Sequence, residues 1–313
     1  MNYLSILDTR TKAWKEAKTK WNINSKMGRE DIIANVGGWN TNEPSIFDPV
    51  LTELFYTWYV PARGSIIDPF AGGSVRGIVA DELGMRYTGI DISQNQIEAN
   101  RLQSDGPEWI LGDSQHVLET LDTKYDFGFT CPPYHNLEIY TDEVNDLSNM
   151  GWEAFRVKYE LIMHRMYDVL KQNRFMAIVV GEIRDASKTR DYKIGKYKNL
   201  IGETIKAAES AGFHYYNEFI LINPFERAAK QMNRYYNKNR KVPSVHQNVL
   251  VFIKGNPDIA TMDIDAISGA ECMVDGIKYR TFREAAICID KRLVASDIKW
   301  RCNSKSYPTY IAL

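Results

Sequence analysis

The chain has 313 residues, of which 44% are hydrophobic and 25% charged, a composition that can bury a sizeable core and excludes a disordered chain. Lysine and arginine total 39 against 40 acidic residues, so the formal net charge of −1 excludes coating of a polyanion by bulk charge while leaving room for local basic patches. No apolar run approaches the roughly 18 residues of a membrane span, and the first residues lack the apolar core of a signal peptide, so a soluble, cytoplasmic protein is expected. Four cysteines, Cys131, Cys272, Cys288 and Cys302, form no CxxC pair, which argues against a disulfide framework and against a zinc site.

In chain order, residues 1–42 read as an amino-terminal extension with a weak helical stretch at Thr11–Lys20 and no legible chemistry. From Ser65 the pattern becomes α/β. The run SIIDPF is a buried strand followed by a glycine turn and a helix over Val75–Leu83. RYTGIDI is a second strand leading into a helix near Gln94–Gln103, and EWILGDS and YDFGFTCPPY contain the next two strands. A stripe of Phe155, Tyr159, Ile162, Met163, Met166, Val169 and Leu170 predicts a core-facing helix over Trp152–Lys171. Strand RFMAIVVGEI and a helix near Leu200–Ala211 follow. NEFILI and QNVLVFIKG are strands with no helix between them, which predicts an antiparallel hairpin with a long inserted loop. Such alternation specifies a mainly parallel sheet with helices on both faces. The composition shifts after Gly255-Asn256-Pro257, where a domain boundary is expected.

Candidate site residues gather at predicted strand ends. In DPFAGGSVRG, Asp68 to Gly77, a Gly-Gly turn after a buried strand lets backbone approach a ligand where a Cβ would collide. Asp91 ends the second strand, where doubly wound folds place an acid that accepts hydrogen bonds from ribose hydroxyls. The glycine spacing is not GxGxxG, which disfavours a nicotinamide dinucleotide. Asp113 in LGDS is either a contact for an adenine amino group or a helix cap. Cys131-Pro132-Pro133-Tyr134 closes the fourth strand. Two prolines fix the backbone so that carbonyl oxygens project rigidly, and Tyr134 offers a flat face for stacking. An isolated CPPY is an ordinary turn; its joint order with the glycine turn and Asp91 is what points to a site.

Between the last two strands, residues 224–246 carry Arg227, Lys230, Arg234, Lys238, Arg240 and Lys241 against Glu226 alone, with Tyr235 and Tyr236 interleaved. That composition suits phosphate contacts with stacking, the plain alternative being a solvated basic loop.

DPF-x-G, the acid of GIDIS, LGDS and CPPY together resemble the first four motifs of the S-adenosylmethionine-dependent DNA amino-methyltransferases. EPSIFDPVLTELF resembles that family's tenth motif and HQNVLVFIKG its final strand, so the likeness covers about residues 43–255. It implies a class I methyltransferase fold: a Rossmann-like, seven-stranded, mainly parallel sheet with an antiparallel final strand. It implies S-adenosylmethionine as cofactor, with Ser45, Phe47, Asp68, Phe70, Ala71, Gly72, Gly73, Asp91, Ile92, Asp113 and Ser114 around it. Cys131, Pro132, Pro133 and Tyr134 take the catalytic position, and double-stranded DNA is the implied partner, in a phage or restriction setting. The departures are Gly72-Gly73-Ser74 in place of GxG, and Cys131 in place of Asp, Asn or Ser. Since a thiol resembles serine in size, cytosine N4 is favoured slightly over adenine N6.

A cysteine is also the nucleophile of cytosine C5 methylation, although the Pro-Cys-Gln context of that chemistry is absent. Methylation of RNA or of a protein amide, and a non-catalytic DNA-binding regulator, are the other readings. In residues 256–313, the positions Asp275-Gly276, Tyr279, Glu284-Ala285-Ala286, Arg301, Ser304 and Tyr307 resemble the DNA-binding repeat modules of intron-encoded homing endonucleases. The resemblance implies a helix-turn-helix, with a capping box at Thr281-x-x-Glu284 and a recognition helix around Ala295–Cys302 presenting Lys299 and Arg301.

Overall fold

The structure, a computed structural model, describes residues 47–134, 146–185, 195–222, 236–242, 244–262, 264, 272–279, 285, 288–290, 295–302 and 306–312. The weak helical stretch at Thr11–Lys20 lies outside these residues.

Helix α1 (Pro49–Tyr59) begins where Asp48 Oδ1 accepts from Val50 N at 2.9 Å and Leu51 N at 3.2 Å, with proline at the first helical position. There follow β1 (Ser65–Asp68), α2 (Val75–Glu82), β2 (Arg86–Asp91), α3 (Gln94–Gln103), β3 (Glu108–Leu111), the single-turn α4 (Ser114–Val117) and β4 (Tyr125–Thr130). Then come α5 (Trp152–Val169), β5 (Leu170–Val180), α6 (Leu200–Ser210), β6 (His214–Ile222) and β7 (His246–Lys254).

These strands form one seven-stranded sheet in the order β3-β2-β1-β4-β5-β7-β6. Strands β1 to β5 pair in parallel, and β7 runs antiparallel to both β5 and β6. The hairpin expected from NEFILI and QNVLVFIKG is thus β6–β7, with β7 inserted between β6 and β5. Strand β5 starts earlier than its apolar run, because the chain leaves α5 directly in extended conformation at Leu170. This is an α/β Rossmann-like sheet of the order and direction typical of class I methyltransferases.

The central strands are buried on both faces, which is why they read as continuous apolar runs rather than alternating ones. Phe127 and Phe129 of β4, with Phe175, Ala177 and Val179 of β5, face one core, whereas Met176, Ile178 and Val180 face the other. Helix α1 covers the first face with rings: Phe55 stacks on Phe129 at 5.3 Å and Tyr59 on Phe127 at 5.8 Å between centroids. Each buried ring of this kind stabilises the fold by about 1.5–3 kcal/mol relative to exposure. Helices α5 and α6 cover the second face through Phe155, Tyr159, Met163, Met166, Leu200 and Ala208. A Cβ on Gly128 would lie 2.8 Å from Met166 Cε, so any larger residue there would have to displace that methyl.

At the opposite end of the sheet from the glycine turn, Asp126 is buried among donors. Its Oδ2 accepts from Ser65 N and Oγ, both at 2.9 Å, and its Oδ1 from Lys171 Nζ at 2.8 Å and Arg174 Nε at 3.2 Å. Burial alone would raise this carboxyl; the hydrogen bonds from Lys171 and Ser65 prevail and hold it below its ordinary value. A carboxylate depressed in the folded state adds stability above the unfolded value, about 3.9, and loses it as pH falls through the folded one. We therefore expect Asp126→Asn to be less stable than the wild type at neutral pH. The gap should close in acid as pH drops below the ordinary aspartate range, measured by urea unfolding across pH.

After β7, the short α7 (Pro257–Ala260) caps on Asn256, and a separate three-stranded antiparallel sheet follows in the order β10-β8-β9. Its strands are β8 (Cys272–Val274), β9 (Ile277–Tyr279) and β10 (Tyr310–Ala312), with helix α8 (Ala295–Cys302) packed on it. Cys272, Val274, Ala285 and Ile298 form its core. Helix α8 occupies the residues expected for a recognition helix, but the capping box at residues 281–284 lies outside the described residues. The small sheet was not anticipated. Its physical origin is the Asp275-Gly276 dipeptide, whose φ values of 50° and 81° are the paired left-handed conformations that a tight β-hairpin requires.

Candidate active site

The strand order reverses direction at β1 and β4, which opens a crevice at the carboxyl ends of neighbouring parallel strands. The segments singled out in the sequence meet there: the glycine turn after β1, Asp91 at the end of β2, Gly112-Asp113 after β3 and Cys131–Tyr134 after β4.

Asp68 is fully buried and is the centre of this arrangement. Its Oδ1 accepts from Phe70 N at 3.1 Å and Thr130 Oγ1 at 2.6 Å; its Oδ2 accepts from Tyr87 OH at 2.8 Å and Arg76 Nε at 2.5 Å. Arg76, also buried, donates from Nη2 to the carbonyls of Phe70 at 2.8 Å and Ala71 at 2.9 Å. Phe47 covers the guanidinium at 4.3 Å. Burial would lower the Arg76 pKa, but the Asp68 carboxylate overrides it and holds the guanidinium above its ordinary value. Tyr87 is pushed well above the usual phenol range by burial and by the same carboxylate. Asp68 is therefore turned into the protein, and its part in the crevice is indirect: it locks the glycine turn to Thr130, the residue before Cys131.

Gly72 adopts φ +51°, and a Cβ built on either Gly72 or Gly73 meets no atom within 4 Å. The two glycines therefore back onto open space, and their turn is held from behind. Gly72 N donates to Asp91 Oδ2 at 2.8 Å, and Gly72 O accepts from Asn100 Nδ2 at 2.7 Å. Ser93 N donates to the other Asp91 oxygen at 2.8 Å. Burial raises the Asp91 carboxyl above its ordinary value, against the pull of these two backbone hydrogen bonds. Ile92 is half-buried beside it.

Asp113 is a helix cap, as one of its two sequence readings held: Oδ1 accepts from Gln115 N at 3.1 Å, and Oδ2 pairs with Lys158 Nζ at 2.6 Å. Ser114 donates from Oγ to the carbonyl of Pro69, fastening α4 beneath the turn. Phe70 lies half-buried against the ring of Tyr159, and Ala71 is buried.

Within the tetrapeptide, Pro132 is buried, while Cys131, Pro133 and Tyr134 are half-buried. Cys131 packs against the α1-side core. Tyr134 OH accepts from Gln247 Nε2 at 2.5 Å, and the backbone of Gly181 passes close enough that a Cβ there would sit 3.4 Å from the same oxygen. Strand β7 thus fixes the ring of Tyr134.

Of the basic candidates, Lys238 and Arg240 are exposed and Lys241 is half-buried, with the Arg240 guanidinium 5.0 Å from the ring centroid of Tyr236. Arg301 is engaged within the small module, donating to Tyr310 OH at 3.1 Å and lying over the rings of Tyr307 and Tyr310. Lys299 belongs to α8. Ser45, Arg227, Lys230, Arg234 and Tyr235 lie outside the described residues.

Sequence reasoning passed over Arg76, Tyr87, Asn100, Lys158 and Gln247. The one local signal was Arg76, an ionisable residue within the apolar run of α2. Among the described residues, no group of His, Cys, Asp and Glu could hold a metal ion, and no helix is long and apolar enough to cross a membrane.

No family model matches the chain, and no curated protein matches it in sequence. Among solved structures, it is similar to TrmN from Thermus thermophilus at 13% identity and a TM-score of 0.44, over 66% of this chain and 49% of that one. It thus spans about half the length of that protein. It is also similar to a TehB-like SAM-dependent methyltransferase from Corynebacterium glutamicum at 15% identity and a TM-score of 0.42, over 75% of this chain and 98% of the other. A methyltransferase from Pyrococcus furiosus matches at 13% identity and a TM-score of 0.45, over 77% and 98%. The fold itself, read from strand order and direction, is the α/β Rossmann-like mixed sheet typical of class I methyltransferases.

Proposed function

We propose that this chain methylates the exocyclic amino group of a base flipped out of double-stranded DNA, with cytosine N4 favoured over adenine N6. The observation that carries the reading is that the glycine turn and Cys131-Pro132-Pro133-Tyr134 leave the carboxyl ends of the adjacent parallel strands β1 and β4. The residues fit S-adenosylmethionine: two glycines leave open space, and Asp91 stands at the end of β2 with each carboxylate oxygen holding a further lone pair for a ribose hydroxyl. Phe47, Phe70 and Ser114 frame the same turn.

When bound, S-adenosylmethionine supplies an electrophilic methyl group. The chain's own task is to make a poor nucleophile competent, since the lone pair of a base amine is delocalised into the ring. Acceptors at the Pro132 carbonyl and Cys131 Sγ would hold the amine hydrogens so that the nitrogen becomes tetrahedral. A rigid Pro-Pro backbone supplies those dipoles without reorganisation. Tyr134 stacks on the extruded base, its ring fixed through Gln247. The basic segment 224–246, which enters β7 beside Gln247, is the DNA contact, and the module after β7 is a second reader.

The test is mass spectrometry of nucleosides from duplex DNA incubated with the protein and S-adenosylmethionine. N4-methylcytosine or N6-methyladenine is the expected product. 5-Methylcytosine would instead make Cys131 a covalent nucleophile, and product found only in RNA or protein would remove DNA as substrate.

A further inference from the structure

We propose that the ladder formed by residues 183–185 and 196–198 is a second phosphate-binding platform, gripping the DNA backbone next to the flipped base. The proposal rests on DNA being the substrate. The chain passes from β5 through Gly181, whose backbone adjoins Tyr134 OH, straight into this ladder. Arg184 bridges antiparallel to Tyr197, Asp185 N donates to Lys196 O at 2.8 Å, and Lys198 N donates to Ile183 O at 2.9 Å. Arg184 is three positions beyond Gly181, a reach of at most about 10 Å, or roughly three base steps along one strand at 3.4 Å each.

The side chains suit phosphate. Arg184 lies over the ring of Tyr197 at 3.9 Å and donates to Gly195 O at 3.0 Å and Tyr197 OH at 2.8 Å. Those bonds fix the guanidinium plane, and its remaining N–H groups stay available to an anion, because Arg184 is exposed. Lys196 is exposed beside it, and Tyr197 is 46% exposed, a large aromatic surface for a solvent-facing ladder. Lys198 sits 4.9 Å from the ring centroid of Trp152. Lys241 of the basic segment reaches the same place, since a Cβ on Gly195 would collide with its Nζ.

Two stretches distant in sequence therefore meet at Gly195 and Lys241, and each carries an arginine-over-tyrosine pair, Arg184–Tyr197 and Arg240–Tyr236. Across residues 184–198 the sequence holds six basic residues against two acidic ones. Among the described residues no ion pair engages Arg184 or Lys196, so neither charge is neutralised by a carboxylate there. Pre-oriented arginine on an aromatic face, with exposed lysine alongside, grips a backbone without reading sequence.

The test compares wild type with Arg184→Gln, Lys196→Gln and the double variant in binding to a duplex oligonucleotide across a salt series. We expect the double variant to bind roughly tenfold or more weakly at physiological salt. Its log affinity against log salt should flatten by about two, one per phosphate contact. S-adenosylmethionine binding by calorimetry and the thermal transition should match the wild type. Unchanged affinity and slope in a double variant whose wild type binds and methylates duplex DNA would overturn the platform and leave the methyl-transfer reading standing. A wild type that methylates another substrate and binds no duplex would overturn both.

Discussion

Replacing Asp68 with asparagine is expected to destabilise the protein by about 3–5 kcal/mol, nearly as much as replacing it with alanine. Asparagine matches the shape of aspartate, so a purely steric role would predict a mild effect. The position instead holds the only carboxylate hydrogen-bonded to the buried Arg76 among the described residues, and it takes four donors. With asparagine, the guanidinium keeps the carbonyls of Phe70 and Ala71 but loses its counter-charge in a site closed to water. The amide would also turn N–H groups toward Tyr87, Thr130 or Arg76, all of which are donors there. Urea unfolding would measure the loss. A loss under about 1 kcal/mol would show that Arg76 finds another partner or water. The companion Asp68→Asn/Arg76→Met should recover part of the stability, because removing both charges is cheaper than stranding one. What it should not recover is the register between the glycine turn and Thr130, so S-adenosylmethionine binding should remain weak in a variant that is well folded.

That network marks the boundary of what local sequence shows. Helix α3 has the bounds the sequence predicts, and the β6–β7 hairpin was legible in two apolar runs without an intervening helix, because periodicity and turn residues act over a few positions. The strand-end placement of Gly72, Asp91 and CPPY followed from the same logic. Asp68 reads as a ligand contact in DPF-x-G, and only the folded chain reveals that Arg76, Tyr87 and Thr130 converge on it from α2, β2 and β4. Asp113 likewise pairs with Lys158, 45 residues away, in the middle of a helix whose stripe identifies its core face but not the partner of its lysine. The ladder at Arg184–Tyr197 was hidden for another reason: it is a single antiparallel bridge outside the strands, too short for alternation to register. Charge density drew attention to residues 224–246, while the comparable density across 184–198 falls between the predicted strand RFMAIVVGEI and the predicted helix near Leu200–Ala211.

The sharpest test of the catalytic assignment is Tyr134. Tyr134→Ala should lower kcat/KM for a defined duplex roughly tenfold to hundredfold, the loss expected when one base–aromatic stack of about 1–3 kcal/mol disappears. Tyr134→Phe should keep most of the activity, since the ring remains and only the hydrogen bond from Gln247 is lost. S-adenosylmethionine affinity should not change in either variant, because the cofactor turn is held by Asp68, Asp91 and Asn100 rather than by Tyr134. The pattern separates stacking from a structural role: a structural tyrosine would lose cofactor binding and stability with activity, and a proton-transferring one would fail as phenylalanine. Cys131→Ser completes the argument. Serine retains an acceptor of similar size and should preserve methylation of the amine, whereas covalent attack on the ring would vanish with the sulfur. Activity retained in Tyr134→Ala would sink the assignment of CPPY as the catalytic segment; activity retained in Tyr134→Phe and Cys131→Ser, but lost in Tyr134→Ala, would leave amine methylation as the chemistry that fits the crevice.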